Sequence, residues 1–173
     1  GIGRLVAPGL VVGAFGGYES FGYDIASLTG RLSGAGATGG AYLGWRLLPG
    51  VRFDLAGAYS LLDYDARAGA ASGSFAGHRK LISSGLTGST KLGSVIVEPS
   101  ARLFAIWEGQ DAYIDSLGAA QATNSFAVGR ASAGARVSHP FALTAGMTLS
   151  PYAGLYGDYH FSRGEVVLSG TEI

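Results

Sequence analysis

GGAYLGWRLLPGVRFDLAGAYSLLDYD, residues 39–65, alternates two kinds of side chain along its length and turns once, at Pro49-Gly50. The odd positions are mostly apolar from Ala41 to Leu47 and again from Val51 to Leu61, whereas the even positions are mostly small or charged. Successive residues of a β-strand point to opposite faces of its sheet. The stretch therefore predicts a β-hairpin that has one apolar and one polar face.

Similar alternation recurs along most of the chain. Residues 95–107 and 147–161 repeat it cleanly, and residues 78–92 repeat it with the apolar side chains on even positions. Residues 126–137 follow it except that Phe126 and Val128 fall on the polar side. Residues 10–24 are apolar on both faces up to Glu19, so the alternation does not show which of their side chains face lipid and which face the interior. We count one partial and seven full strands.

The connections between these strands differ in length. Short turns are predicted at Pro8-Gly9, Pro49-Gly50 and Leu92-Gly93, with a slightly longer one at residues 140–146. Loops rich in Gly, Ala, Ser and Thr are predicted at residues 25–36, 66–77 and 109–124. Short turns at one end and long loops at the other are typical of outer-membrane barrels. The runs also exceed the roughly 9 to 11 residues that a tilted strand needs to cross the hydrocarbon.

Composition excludes several other classes of protein. Charged residues make up 14% of the chain, against about 25% in soluble domains. The 47% hydrophobic content excludes a disordered chain. Twelve basic residues balance twelve acidic ones, so the chain lacks the excess positive charge that nucleic-acid binding needs. Without cysteine, disulfides and thiolate chemistry are excluded as well.

We therefore predict an all-β fold, an antiparallel up-and-down transmembrane β-barrel, with lipid outside and a polar lumen. The alternative is a soluble up-and-down barrel of the lipocalin kind, with the apolar face inside. Six aromatic side chains are expected to form a lipid-facing girdle: Trp45, Phe53, Tyr59, Trp107, Tyr159 and Phe161. Nine charged side chains are expected to face the lumen, where opposite signs can pair: Arg46, Arg52, Asp54, Arg79, Glu98, Arg102, Arg130, Arg136 and Asp158.

Signals for catalysis or cofactor binding are weak. Residues 34–39 match G-x-G-x-x-G, yet the strand and helix that a dinucleotide site needs do not surround them. Asp63, Asp65 and His78 could face one another across a loop, but no nucleophile motif accompanies them. No ligand spacing indicates a metal site. We expect no cofactor, no metal and no enzymatic activity.

Several runs resemble the translocator β-domain of autotransporters, the type V secretion proteins of Gram-negative bacteria. They are GRLVAPGLVVGAFGGYES (3–20), residues 39–65, SVIVEPSARLFAIWEGQDAY (94–113), RASAGARVSHPF (130–141) and LSPYAGLYGDYHF (149–161). The pieces SHPF and LSPYAGL are the most specific, and the resemblance spans nearly the whole chain.

The resemblance implies a twelve-stranded barrel in the outer membrane that is inserted by the barrel-insertion machinery. Such a barrel enables export of an N-terminal passenger, whose linker helix contacts the lumen. About eight strands are recognisable here, so we expect residues 1–173 to be one barrel domain that is incomplete at both ends. The partners implied are outer-membrane lipid, the chain's own passenger and linker helix, and the insertion machinery, around a monomer. The alternative function is a small porin or surface-adhesion barrel without a passenger.

Overall fold

A computed structural model describes residues 1–25, 30–144 and 146–163. Its regular elements are all β-strands: β1 (Ile2–Ala7), β2 (Leu10–Ile25), β3 (Gly30–Leu48), β4 (Val51–Ala68), β5 (Ala71–Gly88), β6 (Thr90–Leu92), β7 (Val95–Gln110), β8 (Tyr113–Ile114), β9 (Ala120–Gln121), β10 (Asn124–Ser138), β11 (Phe141–Thr144), β12 (Met147–Leu149) and β13 (Tyr152–Arg163). Within these residues, no helix is long and apolar enough to cross a membrane.

Eight strands form one antiparallel sheet in the order β1-β2-β3-β4-β5-β7-β10-β13. They are the one partial and seven full strands that the alternation predicts. The short β6 pairs with β7 and continues the line of β5 toward the turn. Each long strand lies beside the one before it in the chain, so the topology is the up-and-down meander that was predicted.

Tight turns join the strands at one end of the sheet. Gly9 and Gly50 each follow a proline and each has a φ of 79°, a backbone conformation that glycine adopts without steric cost. Gly93 closes the next turn with a φ of 63°. On the same end, β11 and β12 form a separate small ribbon between β10 and β13.

The predicted long loops are wrong at residues 30–36 and over most of residues 66–77, whereas residues 26–29 of the first loop lie outside the described part of the chain. The structure extends β3 back to Gly30, and β4 and β5 meet across residues 69–70. Small Gly, Ala and Ser side chains gave too little hydropathy contrast to reveal strands there, although the backbone pairing continues. The third loop, residues 111–123, contains the β8–β9 hairpin.

The register defines two faces of this sheet. Two residues that are paired on neighbouring strands point to the same face. Successive pairs form rows that run across all the long strands. We call the face that carries Ser60, Leu62 and Tyr64 the polar face, and the face that carries Tyr59, Leu61 and Asp63 the apolar face. On β4 the polar-face residues are buried and those on the apolar face are exposed, in strict alternation from Tyr59 to Asp65.

Candidate functional site

A largely buried hydrogen-bonded cluster lies on the polar face toward the end of the sheet opposite the Gly9 and Gly50 turns. Its centre is Arg79 on β5, whose Nε donates to Oε2 of Glu108 at 2.8 Å. The Nη1 atom of Arg79 donates to both carboxylate oxygens of Glu19 at 3.1 Å. The side chain of Glu108 is only 6% exposed. One guanidinium thus joins carboxylates from β2 and β7, which lie on either side of β5 and well apart in the sheet.

Neutral groups complete the bonding of Glu108. The Tyr64 hydroxyl donates to its Oε1 atom at 2.6 Å, and the Gln110 amide donates to the same atom at 3.3 Å. Asn124 donates in turn to the Gln110 carbonyl oxygen at 3.4 Å. We call these six residues the Arg79 cluster: Glu19, Tyr64, Arg79, Glu108, Gln110 and Asn124. Two carboxylates face one guanidinium, so donors from neutral side chains are needed to stabilise the second negative charge.

Aromatic rings cover the cluster from the loop side. The Phe21 and Tyr64 rings meet edge to face at 5.9 Å across β3, above Gly34. A Cβ at Gly34 would lie 3.1 Å from the Tyr64 ring and would overlap Phe21, so only glycine permits this approach. Tyr64 then stacks on Phe75 at 5.0 Å, and Phe75 stacks on Tyr113 at 4.7 Å.

The loop that carries Tyr113 is held against β5. The backbone N–H of Ser116 donates to the Ser72 carbonyl at 2.7 Å, and the Ser72 N–H donates to the Ser116 hydroxyl at 3.0 Å. Within the loop, Asp115 accepts bonds from the N–H groups of Ala119 and Leu117 and from the Gln121 amide. The Ala119 and Gln121 bonds hold the pKa of the Asp115 carboxyl below its usual range.

Further ion pairs lie on the polar face toward the short-turn end. Arg136 donates to Glu98 at 2.8 Å between β10 and β7, and Arg52 donates to Asp54 at 2.9 Å within β4. Arg130 lies 3.9 Å from Asp158. The arginines of these three pairs are at least twice as exposed as Arg79. Among the described residues, Arg46 and Arg102 have no acidic partner.

An apolar row separates the two charged regions of the polar face. It crosses Gly40, Ala58, Leu81, Ile106 and Val128, which lie opposite one another on five successive strands. The row explains why Val128 departs from the alternation of its segment. The polar face is therefore layered, with charges above and below a narrow apolar belt.

The register places all nine charged residues of the sequence prediction on the polar face: Arg46, Arg52, Asp54, Arg79, Glu98, Arg102, Arg130, Arg136 and Asp158. It places all six aromatic residues on the apolar face: Trp45, Phe53, Tyr59, Trp107, Tyr159 and Phe161. Of the Arg79 cluster, only Arg79 was predicted from the sequence; Glu19, Tyr64, Glu108, Gln110 and Asn124 were not. The odd–even alternation alone could have placed Glu108 on the polar face, because Glu108 continues the even-numbered series of Glu98 and Arg102.

Asp63, Asp65 and His78, which were considered as a catalytic group, do not hydrogen-bond to one another. Asp65 accepts a bond from the Ser74 hydroxyl at 2.6 Å, and His78 stacks on Tyr59 with ring centroids 6.2 Å apart. The glycine-rich motif at 34–39 lies inside β3. In the described part of the chain, no three His, Asp or Glu side chains are grouped as metal ligands.

Comparison with protein families decides the identity of this sheet. The sequence profile of the autotransporter beta-domain matches residues 1–171. The chain belongs to the autotransporter β-domain family. Autotransporter β-domains are transport domains of the bacterial outer membrane and components of type V secretion, so this chain is an outer-membrane translocator domain.

Solved structures agree on the fold of this autotransporter β-domain. It is similar to the beta domain of the Bordetella autotransporter BrkA, with a TM-score of 0.60 and 20% identity over 94% of this chain and 69% of that one. It is also similar to the ferric citrate transporter FecA, with a TM-score of 0.51 and 8% identity over 95% of this chain and 29% of that one. These identities show the fold alone. No curated protein matches the sequence.

Proposed function

We propose that this translocator domain exports an N-terminal passenger across the outer membrane, with the polar face lining the route. The observation that carries the proposal is the mixed-sign polar face, which holds the Arg79 cluster and three further ion pairs. Its charges would contact a polypeptide through many weak, exchangeable hydrogen bonds rather than select one ion. The apolar face, with its aromatic residues, would contact lipid.

The partners follow from this function. A linker helix between passenger and barrel would lie along the polar face, where Arg46 and Arg102 are available to bind acidic side chains. The barrel-insertion machinery would assemble the sheet, and the barrel would act as a monomer. The proposed mechanism uses side-chain contacts and a wet lumen, and requires no cofactor, metal or catalytic residue of this domain.

We further propose that additional strands close the sheet, to the twelve that the resemblance implies. Among the described residues, the outer edges of β1 and β13 have no strand partner. On β13, Leu155 is 84% exposed. Unpaired backbone groups in hydrocarbon cost several kcal/mol each, so a sheet in the membrane must be closed.

Export is tested in cells that make the full-length protein with an epitope tag placed before residue 1. The tag is expected at the cell surface, where protease added to whole cells removes it. Arg46→Gln/Arg102→Gln should slow its appearance several-fold while the amount of folded barrel stays constant. Arg31→Gln/Arg67→Gln, which removes two cations from the apolar face, is the matched control and should export normally.

The result that contradicts the proposal is a folded barrel in the outer membrane whose tag stays in the periplasm. If that barrel also conducts ions in planar bilayers, the porin alternative replaces export.

A further inference from the structure

A groove on the apolar face lies beside β5, β7 and β10 and has a volume of about 450 Å³. Lys80 and Arg163 lie at its two sides, with Trp107, Ser125 and Ala127 between them. Glu108 also lies at the groove, but its carboxylate bonds to Arg79 on the other face, so the groove is separate from the Arg79 cluster.

The two cations share one row of the sheet. Lys80 is opposite Trp107, Trp107 is opposite Ala127, and Ala127 is opposite Arg163. Three strand spacings therefore separate the two backbones, about 14 Å in all, and both side chains are long enough to lean toward the centre. Neither cation has an acidic partner among the described residues.

On β4, the apolar band ends beside Lys80. Tyr59 lies opposite Lys80, and from Tyr59 to the short turn at Gly50 the apolar face of β4 carries no charge. Beyond Leu61, the next residues on that face are Asp63 and Asp65, which lie on β4 further toward the loops. Tyrosine and tryptophan mark the headgroup level of a membrane. Tyr59 and Trp107 lie beside Lys80, and Tyr159 precedes Arg163 on β13, so both cations lie close to the lipid phosphates.

We propose that this groove binds the phosphorylated headgroup of an outer-leaflet glycolipid. Lys80 and Arg163 would each bind phosphate oxygens, the Trp107 ring would pack on the sugar or acyl boundary, and Ala127 and Ser125 leave room for the headgroup. The proposal rests on the proposed function in one respect: the passenger must leave at the end of the barrel that carries Lys80 and Arg163, so that this end faces outward. The ligand is a lipid rather than free phosphate, because the groove opens on the apolar face.

The test uses full-length protein purified from outer membranes in mild detergent. Native mass spectrometry would measure retained lipid A, supplied in bisphosphorylated or dephosphorylated form. Wild-type protein should retain the bisphosphorylated form selectively. Lys80→Gln/Arg163→Gln should weaken retention about tenfold or more, because each basic side chain near an anionic surface contributes to binding. Arg4→Gln/Lys91→Gln, the same charge change at the short-turn end, is the matched control and should retain lipid as wild type does.

Three outcomes overturn the inference: equal retention by the double variant and wild type, equal retention of both lipid forms, or displacement of the lipid by millimolar inorganic phosphate. Should the double variant fail to fold, Lys80→Gln alone is compared with Lys91→Gln. The surface-tag assay separates this inference from the proposed function. A wild-type tag at the cell surface together with unchanged lipid retention in the variant refutes only the groove.

Discussion

Arg79 is the residue whose loss should damage the sheet most. Replacing it with Met leaves the buried Glu108 carboxylate without its cation, and breaking a buried ion pair costs about 3 to 5 kcal/mol. Arg130→Met is the matched control, because the pair of Arg130 with Asp158 spans 3.9 Å and both side chains are about half exposed. Exposed pairs are worth at most about 1 kcal/mol. Urea unfolding in detergent would rank the two, and equal effects would refute the description of the cluster.

Tyr64 offers a finer test of the same site. Tyr64→Phe keeps the ring stacked on Phe75 and removes only the hydroxyl that donates to Glu108. A hydrogen bond to a charged group contributes about 1.5 to 3 kcal/mol. We expect destabilisation in this range by urea unfolding. An unchanged midpoint would mean that the hydroxyl bond contributes nothing.

Asp115 should make the β8–β9 loop sensitive to acid. The bonds from Ala119, Gln121 and Leu117 lower the pKa of its carboxyl in the folded loop. Their stabilisation is therefore present above the ordinary aspartate pKa of about 3.9 and is lost as the pH falls through the lower folded value. Cleavage of the loop by pepsin should accelerate at the acid end of a pH series. Asp115→Asn should remove most of that pH dependence, and an unchanged profile in this variant would contradict the assignment.

On strand β3, two glycines should respond in opposite ways to the same change. A Cβ at Gly36 would collide with the carbonyl oxygen of Leu61, whereas a Cβ at Gly39 would meet nothing within 4 Å. Gly36→Ala should therefore destabilise the barrel by more than about 1 kcal/mol. Gly39→Ala should be neutral or slightly stabilising because it restricts the unfolded chain. Heat-induced unfolding followed by gel mobility would compare them, and a reversed order would contradict the close packing at Gly36.

At the scale of strands, the sequence was sufficient where hydropathy contrast was strong. The hairpin of residues 39–65 has Trp45, Phe53 and Leu55 on one side and Arg52 and Asp54 on the other, so both strands and their facing were predictable. The parts of β3, β4 and β5 that were predicted as loops, within residues 30–36 and 66–77, are rich in small residues, and only cross-strand pairing showed them to be strands. The Arg79 cluster was missed because its carboxylates come from β2 and β7, whose approach to Arg79 depends on the register.

Across the whole sheet, the apolar and polar faces should respond differently to a new charge. Leu103→Arg on the apolar face of β7 should cost about 2 to 4 kcal/mol if it lies at the bilayer midplane. Ser100→Arg, on the polar face of the same strand, should be tolerated because water reaches it. Folding of both variants into lipid vesicles would be measured, and equal tolerance would contradict the facing.

We propose that alternate residues meet lipid and water in the assembled barrel. Residues 1–173 contain no cysteine, so single cysteines introduced among them can carry spin labels. Labels at positions 55 and 103 of the membrane-embedded full-length protein should collide with dissolved oxygen, which concentrates in the bilayer. Labels at positions 56 and 100 should collide with a water-soluble nickel chelate. Loss of this alternation, or its reversal, would contradict the account.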